Sequence, residues 1–336
     1  MSKPYVVGID IGGTNTVFGL VDARGHVVAS DSIKTQKHVN FDEYIADLHE
    51  GLSRLIKAKD AEDLIQGIGI GAPNANYYTG EIQNCVNLPW GPIVPLAEKV
   101  SKAFNGIPVA ITNDANAAAL GEMTYGAARG MKDFIMITLG TGVGSGIVIN
   151  GQLVYGSDGF AGELGHVIMK RNNGRVCGCG RTGCLEAYCS ATGVARSARE
   201  FLEVRTEPSL LRNLHIEDIT SKDVYDAAMA GDQLAKDIFK YTGEILGEAF
   251  ADMVAFSSPQ AIILFGGLAK SGDLLLKPLK ETFEKSLMPI FRGKTQIILS
   301  ELKESDAAVL GASALGWEAR YRYEAPHLEK LEDSKQ

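Results

Sequence analysis

The chain reads as an α/β protein built from two related halves. Short β-branched runs alternate with helical patterns along its length. Each half opens with a three-strand meander broken by a Gly/Thr-rich turn, which suggests a duplicated nucleotide-binding unit. The length of 336 residues allows about two domains with sizeable cores.

Tyr5 to Ile11 reads as a buried strand, with Thr16 to Val21 and His26 to Ile33 following as two more, joined by the turn Asp22-Ala23-Arg24-Gly25. Phe41, Ile45, Leu48, Leu52 and Leu55 have helical spacing, so 41–58 is a helix. A strand at Gly67 to Ala72, a helix over 92–104, a strand at Val109 to Thr112 and an Ala-rich helix over 113–127 come next. The rhythm then restarts with strands at Phe134 to Leu139, Gly146 to Ile149 and Gln152 to Tyr155. Helices follow at 190–202, 221–230 and 232–256, the second announced by Thr220 and Asp223 at capping-box spacing. Ala261 to Phe265 is a buried strand ending in Gly266-Gly267, and a helix at 277–288, a strand at 295–299 and a helix at 306–322 complete the pattern. The repeat is one of rhythm more than of residue identity. The expected division is a smaller domain over 1–114 completed by about 306–325, a larger one over 115–305, and a polar tail over 326–336.

Hydrophobic content of 45% and charged content of 22% are those of an ordinary globular protein. The net charge of -8 and the lack of any basic cluster exclude a nucleic-acid backbone as the expected partner. No apolar stretch approaches the roughly 18 residues of a membrane helix, and no signal-peptide core precedes the first strand, so no membrane partner and a cytoplasmic location are expected. Cys85 and Cys189 read as small core residues.

Two turns suit phosphate. Asp10-Ile11-Gly12-Gly13-Thr14-Asn15 follows the first strand; its glycines admit an oxyanion close to the backbone, its amides and the Thr14 hydroxyl are donors, and Asp10 can hold Mg²⁺ through water. The second is Leu139-Gly140-Thr141-Gly142-Val143-Gly144-Ser145-Gly146. Neither is a P-loop or a Rossmann fingerprint, since no Gly-Lys-Ser/Thr follows and a strand rather than a helix comes next. One such turn per half fits a nucleotide clamped by two domains, although a Gly-Gly turn between strands taken alone is more often only a turn. Gly266-Gly267 allows close approach of an adenosine, or is only a tight strand-to-helix connection.

Thr112-Asn113-Asp114-Ala115-Asn116 lies where a strand gives way to a helix, so Asn113 or Asp114 can be an N-cap. Beside a clamped phosphate, Asp114 can instead accept a proton from an attacking hydroxyl, with Asn113 bonded to a neighbouring one. Cys177, Cys179 and Cys184 with His166 have the donor types of a closed tetrahedral zinc shell. Buried or disulfide-paired thiols are the alternative, and Cys-x-Cys is poorly placed for an internal disulfide. A metal here would also fix two carboxylates, Glu163 and Glu186, which adjoin the ligands.

Together these residues resemble the ROK family (repressors, open reading frames, kinases), and its glucokinase branch in particular. The likeness spans about residues 5–320; its most specific part is Glu163-Leu-Gly-His166 followed by Cys177-Gly-Cys179-Gly-Arg-Thr-Gly-Cys184-Leu-Glu186. It implies an actin/hexokinase-like, ribonuclease-H-like two-domain fold around a cleft, and transfer of the ATP γ-phosphoryl to a hexose 6-hydroxyl with Mg²⁺. Glucose is the expected acceptor, with N-acetylmannosamine, N-acetylglucosamine or fructose as alternatives. It also implies a homodimer or dimer of dimers, with a small-molecule sugar and ATP as partners. Carried over by position, Asp114 is the base, and Asn87 and Asn113 bind the 3-OH and the 4-OH region. Glu163, His166 and Glu186 face the C1 and C2 side, His166 serving structural zinc as well. Asp10, Gly12, Gly13, Thr14, Thr141, Gly142, Gly266 and Gly267 serve the nucleotide. Gly71-Ala72-Pro73 matches the strand end lining the sugar; where the family usually has Gly after that proline, this chain has Asn74. The family's repressors carry an N-terminal helix-turn-helix, for which the first strand at Tyr5 leaves no expected room. A non-catalytic sugar sensor is the remaining class, against which an intact Asp10, Asp114 and Gly140–Gly146 loop argue.

Overall fold

The computed structural model describes residues 4–85, 88–303 and 306–319. The chain divides into two compact units, one formed by 1–130, 153–161 and 301–336, the other by 131–152 and 162–300. The division falls past the helix that opens at Asp114, whereas the sequence suggested a boundary at 114/115. That helix stays with the first unit because its small face is pressed on the helix over 306–319: a Cβ on Gly121 would stand 2.9 Å from the Gly311 Cα. The expected tail over 326–336 lies outside the described residues.

The first unit starts with β1 (Tyr5–Ile11), β2 (Asn15–Asp22) and β3 (Val27–Lys34), an antiparallel meander. Helix α1 (Phe41–Lys57) is capped by Asn40, whose side chain accepts from the Asp42 and Glu43 amides, and buries Tyr44, Leu48, Leu52 and Leu55. Then come β4 (Ile65–Gly71), β5 (Ala75–Asn76), β6 (Glu81–Gln83), β7 (Ile93–Val94), α2 (Leu96–Ala103), β8 (Val109–Thr112) and α3 (Asp114–Tyr125). The main sheet has the order β3-β2-β1-β4-β8, with β4 and β8 parallel to β1 and to each other. The small sheet β5-β6-β7 was not anticipated; its strands are too short to carry a periodicity.

Across the main sheet lies the helix over 306–319, at backbone contact. A Cβ on Gly8 would meet the Val309 carbonyl at 2.1 Å and one on Gly69 the Ala312 carbonyl at 1.9 Å. Glycine at these strand positions is therefore a packing requirement.

The second unit repeats the order. β9 (Phe134–Leu139), β10 (Val143–Ile149) and β11 (Gln152–Leu153) are followed by α4 (Glu186–Cys189), α5 (Ala191–Val204), α6 (Ser221–Met229), α7 (Gln233–Ser257), β12 (Ala261–Phe265), α8 (Asp273–Ser286) and β13 (Gln296–Leu299). Its sheet runs β11-β10-β9-β12-β13, the same arrangement as the first, and bears out the inferred duplication. β10 starts three residues before the expected Gly146, because Val143, Gly144 and Ser145 pair with Leu139, Thr138 and Ile137 despite the low strand propensity of glycine. The expected Gly140–Gly146 loop is thus a tight turn at Gly140–Gly142. Helix α8 begins at Asp273 after Gly272 (φ 60), ahead of the expected 277, and accommodates Pro278 inside it. The Thr220–Asp223 capping box is present, both bonds formed. No helix among the described residues is long and apolar enough to cross a membrane.

Candidate active site and metal centre

In the first unit, register places Asp10 beside Gly71 and Gly71 beside Thr112, so three parallel strands end together. This is where α/β sheets present ligand-binding groups. At the end of β8, Asn113 is the N-cap of α3: its Oδ1 accepts from the Asn116 amide at 2.7 Å. Asp114, the first helical residue, accepts its neighbour Ala115's amide on Oδ1 at 2.9 Å. The two readings of this pair are thereby divided between them. Asn113 caps, and Asp114 keeps a carboxylate that solvent reaches. Dense protein around it nevertheless raises its pKa, chiefly by desolvation. Asp10 is pushed up to about 6, first by burial and then by the charge of Asp114. Two raised carboxyls flanking the end of β4, one on β1 and one just past β8, are a functional-site signature.

The Gly12-Gly13-Thr14 turn joins β1 to β2. It is closed by the Gly12 amide donating to the Asn15 carbonyl at 2.9 Å, and Gln36 Nε2 donates to the Thr14 hydroxyl at 3.2 Å. Neither glycine has a positive φ; their value here is the absence of side-chain bulk.

In the second unit, the Gly140–Gly142 turn is closed by the Gly140 amide donating to the Gly142 carbonyl at 3.1 Å. A cavity of about 410 Å³ opens beside it, lined by Gly140, Thr141, Ser221, Tyr225, Gly267 and Lys270 among others. The Thr141 and Gly267 positions singled out in the sequence therefore share one cavity. Gly266 does not line it: with φ 104, its missing Cβ would stand 2.5 Å from the Leu139 carbonyl, so it is the tight strand-to-helix connection. Ser221, Tyr225 and Lys270 carried no sequence signal beyond the cap that starts α6.

His166, Cys177, Cys179 and Cys184 converge, one donor atom from each lying within 4.8 Å of the others. None of the five cysteines is in a disulfide. Cys179 Sγ and Cys184 Sγ are 3.7 Å apart, and a tetrahedron with Zn–S bonds of about 2.3 Å has edges of about 3.8 Å. The cluster therefore fits zinc in donor chemistry and in size. His166 turns Nδ1 to Cys177 Sγ at 3.7 Å and Nε2 to Glu163 Oε2 at 4.0 Å, so one ring faces both the cluster and a candidate sugar carboxylate. The knuckle is tied down by a residue the sequence reading missed. Arg175 is buried, stacks over the Tyr188 ring and bonds Glu200, Ser197 and the Ala187 and Gly193 carbonyls.

A family model described as ROK family matches residues 6–319. The chain belongs to the ROK family. It is 38% identical to a glucokinase of Halalkalibacterium halodurans over 321 residues, 94% of this chain and 95% of that relative. A glucokinase of Thermotoga maritima is 35% identical over 318 residues, 94% of this chain and 98% of the relative. Among solved structures, a ROK family glucokinase from Streptomyces griseus, in complex with glucose and AMPPNP, superposes with a TM-score of 0.74 at 31% identity. It covers 94% of this chain and 99% of its own. The fold is accordingly the actin/hexokinase-like two-domain one that was expected.

The departure at Asn74 in this ROK chain finds its physical account here, together with Asn76 close by. Asn74, where the family usually has glycine, adopts φ 54, a left-handed conformation that Asn tolerates. Its Nδ2 donates to the Gln83 and Asn84 carbonyls, so the side chain holds the loop itself. Asn76 is buried and bonds the Asp158 carbonyl and the Tyr78 and Thr79 amides, a loop-building role too. Asn87, expected at the sugar 3-OH, lies outside the described residues.

Proposed function

We propose that this ROK chain is an ATP-dependent hexokinase whose acceptor is glucose, giving glucose 6-phosphate and ADP. Membership of the family and full-length likeness to glucokinases support the class. The single observation that carries the mechanism is the division at the head of α3, where Asn113 caps the helix and leaves the raised carboxyl of Asp114 free for chemistry.

In this reading Asp114 takes the proton of the sugar 6-hydroxyl as its oxygen bonds the γ-phosphorus, the bond to the β-phosphate oxygen breaks, and ADP leaves. Asp10 holds the nucleotide's Mg²⁺ through water, and its raised pKa falls when that cation arrives. The Gly12–Thr14 and Gly140–Gly142 turns offer amides to phosphate oxygens, and the cavity lined by Tyr225, Gly267 and Lys270 takes the adenosine. Asn113 Nδ2, Glu163, His166 and Glu186 bind sugar hydroxyls, as does Asn87. Polar groups that a bound sugar covers reject analogues that lack the hydroxyl, because they would be left unpaired. Zinc held by His166, Cys177, Cys179 and Cys184 would order the segment carrying the two glutamates, with no part in the transfer.

A coupled ADP-release assay with Mg-ATP across glucose, mannose, fructose, N-acetylglucosamine and N-acetylmannosamine tests this, with Asp114→Asn in parallel. Turnover with glucose that vanishes in the variant is expected. Preference for an acetylated sugar would overturn the glucose assignment, and silence across the panel would overturn the kinase reading.

A further inference from the structure

Glu186 adjoins the metal ligand Cys184 in sequence, but its carboxylate reaches the phosphate turn. Oε2 accepts the Val143 amide at 3.0 Å, while Oε1 lies 3.4 Å from Cys177 Sγ. The fit is close: a Cβ on Gly142 would stand 2.4 Å from that same Oε2. The segment that follows reaches the turn twice more, the Ala191 amide donating to the Gly140 carbonyl at 2.8 Å and the Thr192 hydroxyl to the Thr141 carbonyl at 2.9 Å. Gly140, Thr141 and Ala191 all line the cavity beside the turn. The start of β10 is held from its other side as well. Ser145 Oγ donates to the Gly162 carbonyl and accepts the Leu164 amide, and Gly165 packs its missing Cβ against the Val143 carbonyl.

We propose that Glu186 is a positioning residue for the phosphate turn, linking the order of the metal-binding segment to nucleotide affinity, in addition to facing sugar. A turn of glycines has few side-chain restraints, so its shape must be imposed from outside. The 184–192 segment imposes it at three points, and Glu186 supplies the one that carries charge and also touches a metal ligand. Loss of order in the knuckle therefore reaches the nucleotide without any metal ligand touching it. The inference rests on the reading of Gly140–Gly142 as a phosphate turn.

The test is calorimetric titration of the metal-loaded full chain with Mg-AMPPNP in the absence of sugar, with metal content measured for every variant. Glu186→Ala is expected to weaken binding about tenfold, the usual consequence of losing a hydrogen bond to a charged group. Glu186→Gln, whose amide oxygen still accepts from Val143, should stay within about threefold of wild type. Wild-type affinity in Glu186→Ala at unchanged metal content overturns the proposal. An equal loss in Glu186→Gln also overturns it, because the effect would then follow the charge and not the Val143 contact. Should Glu186→Ala fail to fold, Gly142→Ala replaces it, its Cβ driving the carboxylate from Val143, and retained affinity there overturns the idea. A wild-type chain that binds no Mg-AMPPNP overturns the kinase reading itself, a distinct result.

Discussion

Asp10 and Asp114 lie on either side of Gly71, whose missing Cβ would stand 3.6 Å from the Asp10 Oδ1 and 3.8 Å from the Asp114 Cα. The charge of Asp114 adds to the burial that raises Asp10 from 3.8 to about 6. A carboxyl with a raised folded-state pKa favours the native state while neutral. Its contribution is present below about pH 4 and lost as pH rises through about 6. Above that, ionised Asp10 costs the free enzyme on the order of 3 kcal/mol. Asp10→Asn should therefore raise the Tm at pH 7, lose that advantage below about pH 4, and abolish turnover. An unchanged Tm at pH 7 would contradict the electrostatic account.

Asp114→Asn should lower kcat by about 10²- to 10⁴-fold with little change in the sugar KM, since the fold and the Asn113 cap persist. In the wild type, kcat should fall on acidification at a pH above the ordinary carboxylate range, because the base has a raised pKa. An acid limb at the ordinary aspartate value would point to another group.

Gly69→Ala tests the packing of the helix over 306–319 on the first sheet. The added methyl would stand 1.9 Å from the Ala312 carbonyl, a backbone atom that cannot swing aside. Destabilisation of about 3 kcal/mol or failure to fold is expected from urea unfolding. A neutral result would mean that this helix does not rest there in solution.

Asn74→Gly should be nearly neutral, because glycine takes φ 54 freely and only the bonds to the Gln83 and Asn84 carbonyls are lost. Asn74→Val should destabilise by at least about 1 kcal/mol. The comparison of their Tm values separates backbone conformation from hydrogen bonding.

Removing metal with a chelator should lower the Tm and weaken sugar binding, since His166 faces both the cluster and Glu163. Reconstitution with Zn²⁺ should restore both. Full sugar affinity in protein verified to lack metal would separate the cluster from the sugar site.

Local spacing along the chain encodes a good part of this protein. The metal quartet, the two Gly/Thr turns, the Thr220–Asp223 cap and the strand-helix rhythm of both halves were legible because each depends on residues a few positions apart. The duplication was legible as rhythm, and the identical strand order of the two sheets follows from it. Tertiary structure alone decided which of Asn113 and Asp114 caps α3, since both are competent caps and only geometry divides them. It decided that Gly8 and Gly69 are glycine on account of the helix over 306–319, far away in sequence. It also decided that the segment 143–146 is strand, that Gly266 packs on Leu139 while Gly267 lines a cavity, and that Glu186 serves the Val143 amide. Each of these rests on contact between segments distant along the chain. Burial, close approach and long-range hydrogen bonds leave no periodic trace in the residues that make them.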